Sequence, residues 1–129
     1  VLFRSGKGWR CIVAAGCEEL LVTIEDLPWE DAPGYGPGAR AKILRNGGAT
    51  DSWTVLLDLP PGWILPEHRH LAAEQRLILE GGYTVDGGRP IIAGSYAYVP
   101  KGAHHGEVTS ETGCRLLVIS DTEPGAETT

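Results

Sequence analysis

From residue 53 onward the chain is interrupted by turn-forming residues at short, nearly regular intervals: Pro60-Pro61-Gly62, Gly81-Gly82, Asp86-Gly87-Gly88, Gly94 and Pro100-Lys101-Gly102. Glycine supplies positive φ and proline a fixed φ, so each cluster breaks a helix and favours a turn. The β-branched and aromatic segments between them are of strand length, which predicts a small antiparallel sandwich or barrel. Eighteen glycines and nine prolines exclude long helical bundles, while an apolar share of 42% suffices for a buried core. At 129 residues, one domain is expected.

The clearest strand is 53–59, where Trp53, Val55, Leu57 and Leu59 share one face and Thr54, Leu56 and Asp58 the other, with Pro60-Pro61-Gly62 ending the run. Asp86-Gly87, flanked by Tyr83-Thr84-Val85 and Pro90-Ile91-Ile92, predicts a hairpin. Leu116 to Ile119 supplies a last apolar strand. Upstream, residues 6–52 are expected to hold one or more strands and an arm packing on the barrel: Glu19 to Ile24 alternates weakly, and Pro28 to Gly38 is the proline- and glycine-rich connection. Residues 121–129 are expected to be a polar, frayed tail. Val1-Leu2-Phe3-Arg4-Ser5 reads as translated sequencing-adapter sequence, as in a gene assembled from metagenome reads, and is expected to carry no fold information.

Eleven basic against seventeen acidic residues leave a net charge of −6 with no lysine or arginine cluster, so neither nucleic acid nor an anionic membrane surface is an expected partner. No apolar run approaches the roughly 20 residues needed to cross a bilayer. The three cysteines, Cys11, Cys17 and Cys114, form no C-x-x-C pair and are read as buried, inert thiols in a reducing cytoplasm.

Chemistry concentrates in two short stretches. His68 and His70 are two apart, so on a strand both imidazoles project to one face. Glu74 follows after Leu71-Ala72-Ala73, a spacing that lets the chain turn and offer a carboxylate to the same point, and His105 arrives after Pro100-Lys101-Gly102. Three imidazoles and a carboxylate form a mixed N/O shell for a divalent transition metal, with positions left open on a six-coordinate ion. Parity places Arg76 and Ile78 on the face of Glu74. Arg76 then either enters the barrel mouth, where it would anchor an anionic or enolate oxygen, or snorkels at a bulged or dimer-facing position. His104, adjacent to His105, is expected to face the other way. Trp53 is read as core, Trp63 as a pocket wall, and Tyr96 and Tyr98 as core or dimer surface.

The spacing Gly62-x5-His68-x-His70-x3-Glu74-x6-Gly81 resembles the first motif of the cupin superfamily, and Gly94-x5-Pro100-x-Gly102-x2-His105 resembles the second. The second departs at its end, where the family often has asparagine and this chain has Thr109. The resemblance covers about residues 53–120 and implies an all-β, single jelly-roll-like barrel with an N-terminal arm. It further implies one ion held by His68, His70, Glu74 and His105, and pairing into homodimers through edge strands. Within the superfamily the chain looks most similar to diketone-cleaving dioxygenases and the cupin domain of anti-sigma factors.

The expected function is therefore a metal-dependent oxidoreductase of the Fe(II) dioxygenase type, acting on a small oxygenated or enolisable molecule. Glu74 serves as fourth ligand or as a base released on substrate binding, and Arg76 stabilises negative charge. Three alternatives accompany it: a Zn, Mn or Ni isomerase, lyase or hydrolase on a sugar-like acid; copper-dependent oxidative polysaccharide cleavage; and a non-catalytic metal- or ligand-sensing module. Because ligating imidazoles must be neutral, metal loss is expected below about pH 6, near the free-histidine value.

Overall fold

The computed structural model describes residues 2–5, 8–14, 17–125 and 127–128. The described residues form fifteen strands and two short 3-10 turns, with no α-helix among them, as the turn spacing requires. Three strands, β1 (Leu2–Ser5), β2 (Gly8–Ala14) and β3 (Cys17–Leu21), pair as an antiparallel meander. The rest are β4 (Glu30–Asp31), β5 (Arg40–Arg45), β6 (Trp53–Leu59), β7 (Trp63–Leu65), β8 (His68–Arg69), β9 (Glu74–Val85), β10 (Ile91–Ile92), β11 (Tyr96–Val99), β12 (His104–His105), β13 (Val108–Ser110), β14 (Cys114–Ser120) and β15 (Glu127–Thr128). A nine-stranded sheet curls in the order β4-β5-β6-β14-β9-β13-β7, with β10 and β11 also on β9, and β12-β8-β15 form a small second sheet.

The strand at 53–59 forms as the alternation predicts, and its Val55, Leu57 and Leu59 meet Leu116 and Val118 of β14 and Ile78 of β9 in one core. Each such side chain contributes roughly 1.5–3 kcal/mol on burial. Pro60-Pro61-Gly62 closes a turn in which Trp63 N–H donates to Pro60 C=O at 3.1 Å, and Gly62 has a φ of 83°. Asp86 and Gly87 both have positive φ and Gly88 N–H donates to Val85 C=O at 3.0 Å, a tight turn in the hairpin expected there, whose strands pair with Tyr83 opposite Ile91.

Gly81-Gly82 differs from the sequence reading. It is not a turn between strands but a bend within one strand of twelve residues. A Cβ on Gly81 would lie 2.0 Å from Gly113 O, and one on Gly82 would lie 2.5 Å from Ile91 O. Neighbouring backbones approach where only glycine fits, so the ladder passes through a sharp corner without breaking. The register with β14 shifts just before it, between Arg115 opposite Glu80 and Leu116 opposite Ile78, which makes Leu79 a bulge residue. Inward parity consequently changes: Glu74, Arg76 and Ile78 are buried before the bend, Tyr83 after it.

The arm also departs from expectation. The strand sought at 19–24 is Cys17–Leu21, and a 3-10 turn takes Ile24–Asp26. The chain leaves the ladder to cross the outer face of β5, where Lys42 Nζ donates to Ile24 C=O at 2.9 Å and the Trp29 ring lies 5.0–5.2 Å from Lys42, Arg40 and Arg115. A second 3-10 turn, Pro33–Tyr35, buries Tyr35 in the core. The tail is not frayed throughout: Glu127–Thr128 pairs with β8 opposite Arg69 and His68, using a strand edge that would otherwise be unpaired. Cys114 is buried as expected, and burial pushes its thiol up to about 11, whereas the side chains of Cys11 and Cys17 lie outside the described part.

Candidate metal centre

The imidazoles are brought together by the small sheet. His68 stands opposite His105 and Arg69 opposite His104 in the β8-β12 pairing, so His68 and His105 share a face while Arg69 and His104 share the other. The ladder continues past β8, because His70 N–H donates to Ala103 C=O at 2.9 Å and Gly102 N–H to His70 C=O at 2.8 Å. Gly102, with a φ of 85°, makes that turn, which places His70 beside the other two rings. One ligand nitrogen from each of His68, His70 and His105 lies within 4.8 Å of the others. His104 points away, as parity predicts, and pairs at the surface with Glu67 at 2.8 Å.

Hydrogen bonding fixes the tautomers of two rings. A carbonyl only accepts, so the 2.9 Å contact of His68 Nδ1 with Pro66 O puts a proton on Nδ1, and the neutral ring then carries its lone pair on Nε2. Arginine only donates, so the 3.4 Å contact of Arg76 Nη2 with His70 Nε2 leaves a lone pair there as well. These two acceptor nitrogens face each other at 3.3 Å. Such a contact calls for a positive charge, and a proton is a poor one: burial, then Arg76, then the neighbouring imidazoles push His70 down to about 3. His105 is lowered too, by burial and then Arg76 and His68. Neutral, converging imidazole lone pairs are the form in which histidine binds a metal ion. His70 Nδ1, which carries the proton when the lone pair is on Nε2, and His105 Nδ1 are buried without a hydrogen-bond partner.

The carboxylate and guanidinium predicted to join the site are both there and engage each other. Arg76 Nε donates to Glu74 Oε1 at 2.6 Å, and Nη2 approaches the same oxygen at 2.5 Å. Arg76 is buried and inward-facing, which resolves the two readings left open for it. Although burial opposes its charge, Glu74 and the Tyr83 hydroxyl hold the guanidinium firmly protonated. Glu74 Oε1 also lies 3.8 Å from His70 Nδ1, but the three-imidazole group closes without it.

Two further residues complete the centre and carry no sequence signal for it. Tyr35 donates from its hydroxyl to Glu74 Oε2 at 3.5 Å, and burial together with the Glu74 carboxylate holds its phenol well above the usual value. Tyr83 accepts from Arg76 Nη1 at 3.3 Å. Tyr35 comes from the irregular arm, and Tyr83 faces inward because the register with β14 shifts at Leu79, so neither follows from periodicity. Trp63 is a wall, as expected: its Nε1 donates to Tyr35 C=O at 2.7 Å. A cavity of about 20 Å³ lies among Tyr35, Trp63, His68, Arg76 and Tyr83, room for one water-sized group.

An all-β curled sheet encloses three histidines that could hold a metal ion, the arrangement of a cupin. The model of the ChrR cupin-like domain matches residues 17–122, and the chain belongs to that family. No curated protein matches it in sequence. Among solved structures it is similar to the polyketide cyclase RemF of Streptomyces resistomycificus, at 24% identity and a TM-score of 0.68, with 84% of this chain and 83% of that chain covered. It is similar to an acetylacetone dioxygenase from Acinetobacter johnsonii at 20% identity and a TM-score of 0.67, covering 85% and 78%. The anti-sigma protein ChrR of Rhodobacter sphaeroides, solved in complex with SigE, matches at 28% identity and a TM-score of 0.60; 77% of this chain aligns with 52% of that one. At these identities the first two show the fold alone.

Proposed function

We propose that this protein is a metal-dependent oxidoreductase of the Fe(II) dioxygenase type that acts on a small oxygenated or enolisable molecule. The observation that carries the proposal is the facing pair of acceptor nitrogens on His68 and His70, with His105 beside them: a preformed neutral donor set that leaves coordination positions open. Iron is the ion we assign, and Mn, Zn, Ni and Cu share the ligand chemistry. When bound, the ion supplies Lewis acidity and, as iron, one-electron chemistry toward O₂.

The chain's own groups then divide the work. Arg76, fixed in its charged form, lies 3.4 Å from the metal-facing nitrogen of His70 and is placed to donate to an anionic oxygen of an enolate. Glu74 is the group to accept the proton released on enolisation or to serve as a fourth ligand, and Tyr35 donates to its second oxygen and keeps it oriented. Tyr83 braces the guanidinium from the opposite side. The 20 Å³ cavity, lined by His68 and Arg76 among the core side chains, has room for one methyl- or water-sized group. Oxygen uptake tests this reading: anaerobically iron-loaded protein is expected to consume O₂ with at least one β-diketone, catechol or hydroxyketone, and His68→Ala is expected to abolish it. Uptake that survives His68→Ala places the active centre elsewhere.

A Zn, Mn or Ni Lewis-acid enzyme acting on a sugar-like acid would turn over its substrate without oxygen, so the same assay separates it. For copper-dependent polysaccharide cleavage, the exposed rings of Tyr96 and Tyr98 lie on the sheet face opposite Glu74 and Arg76, away from the imidazoles. The second reading favoured by a specific observation is a non-catalytic sensing module. It rests on the ChrR-like family match and on the similarity to ChrR, of which this chain spans about half. Metal binding without oxygen consumption, together with metal-dependent capture of a sigma factor, is its expected signature.

A further inference from the structure

The guanidinium of Arg76 contacts two of the donors that a metal ion would use. Nη2 lies 2.5 Å from Glu74 Oε1 and 3.4 Å from His70 Nε2, the nitrogen whose lone pair faces His68. The group is braced from behind, since Nη1 donates to Tyr83 Oη at 3.3 Å and Nε donates to Glu74 Oε1 at 2.6 Å. A buried cation is thus supplied by the chain itself, in contact with the one carboxylate and one of the imidazoles of the donor set. A planar guanidinium held through several N–H groups is a far more persistent partner for a carboxylate than a mobile surface lysine would be.

We propose that Arg76 is a built-in competitor of the metal ion. It holds the Glu74 carboxylate away from the ion and occupies His70 Nε2 until the ion displaces it. This inference rests on the metal-binding reading above and adds a device that sets how tightly the ion is held. On this account a fourth donor is withheld from the ion because an arginine ties it up. Arg76 is a positioning residue in this role, acting through Glu74, and the consequence for affinity runs opposite to intuition: removing a buried, well-bonded side chain strengthens binding at its own site.

Zn(II) affinity measured by competition with a chromophoric chelator tests this without turnover. Arg76→Met frees the carboxylate and removes the neighbouring cation, and is expected to tighten Zn(II) binding by about tenfold or more, the scale on which groups around a metal site act. The double variant Arg76→Met/Glu74→Gln removes both charges, so the site keeps the net charge of the natural pair. It is expected to return to within about threefold of the unaltered protein, well inside that scale. Arg76→Lys keeps the charge but loses the multiple N–H grip, and a smaller tightening is expected; it carries the test if Arg76→Met does not fold. If the unaltered protein binds no Zn(II), the metal reading itself fails. If it binds and neither Arg76 variant binds more tightly, the competitor is overturned and the metal reading stands. A double variant as tight as Arg76→Met would show that the gain does not pass through Glu74. One far weaker than the unaltered protein would show that Glu74 is already a ligand there. Either result overturns the proposal.

Discussion

The two faces of β9 before its bend invert the usual arrangement of a half-buried strand. Inward-pointing Glu74 and Arg76 are 2% and 8% exposed, while outward-pointing Leu77 and Leu79 are 40% and 44% exposed. A strand folding only for stability would place these residue types the other way round. Burial of a charged pair gains little over an apolar pair of equal volume, so its presence inside points to work that needs charge. The exposed leucines beside Tyr96 of β11 leave apolar side chains on the outer face.

The comparison breaks most decisively at the imidazoles. Replacing His68 or His70 with alanine is expected to reduce metal affinity at least about 100-fold, since each removes a ligand outright and second-shell changes alone cost 10–100-fold; dialysis followed by elemental analysis reads the loss. Next in size is the apolar layer beneath the site. Ile78 is 1% exposed, and Ile78→Ala is expected to cost about 2–5 kcal/mol in urea unfolding, whereas the same change at Leu79, one residue on, is expected to cost less than about 1 kcal/mol. Equal costs at the two positions would mean that the outer face is as well packed as the inner.

Acid sharpens the inner-face argument. In the metal-free protein, burial and Arg76 hold His70 down at about 3 against 6.5 for the free side chain, and His105 is lowered as well. The folded state therefore binds fewer protons than the unfolded one below 6.5. The stability carried by these neutral imidazoles is complete above that value and is lost progressively as pH falls toward 3. The thermal midpoint of metal-free protein is expected to drop across this window, and less so in His70→Asn. At His70 and His105 the same lowering weakens proton competition with an ion relative to a free imidazole, so metal loss is expected no higher than about pH 6. Release complete by pH 6 would contradict the burial of these rings.

Residues that obey simple periodicity were legible from sequence. The strand at 53–59, the Asp86-Gly87 hairpin, the shared face of His68 and His70 and the outward His104 all follow from a period of two and the φ demands of glycine. Tyr83 was not legible, because its inward direction depends on a register shift at Leu79, where Arg115 stands opposite Glu80 and Leu116 opposite Ile78. Tyr35 was not legible for a different reason: an arm without a period offers no face to assign, and only the packed structure shows its hydroxyl reaching Glu74. The mutual grip of Glu74 and Arg76 lies between these cases. Parity puts both inside, but it does not say that they would hold each other rather than a third party.

The smallest expected effect falls on the outer face. Leu77 stands opposite Tyr96 on one side and Leu117 on the other, so a cluster of apolar side chains spans β11, β9 and β14 there. Leu77→Glu is expected to change unfolding free energy by no more than about 0.5–1 kcal/mol, because the side chain is already half in water and leaves no cavity. The homodimer expected from the sequence gives this substitution its second readout. If two copies meet on this face, a charge placed at its centre must be desolvated on association, and sedimentation equilibrium is expected to show the variant shifted toward monomer with metal content unchanged. Unchanged self-association would move the contact to another surface. A loss of stability comparable to that of Ile78→Ala would instead show that Leu77 belongs to the core and that the inversion between the two faces of β9 is incomplete.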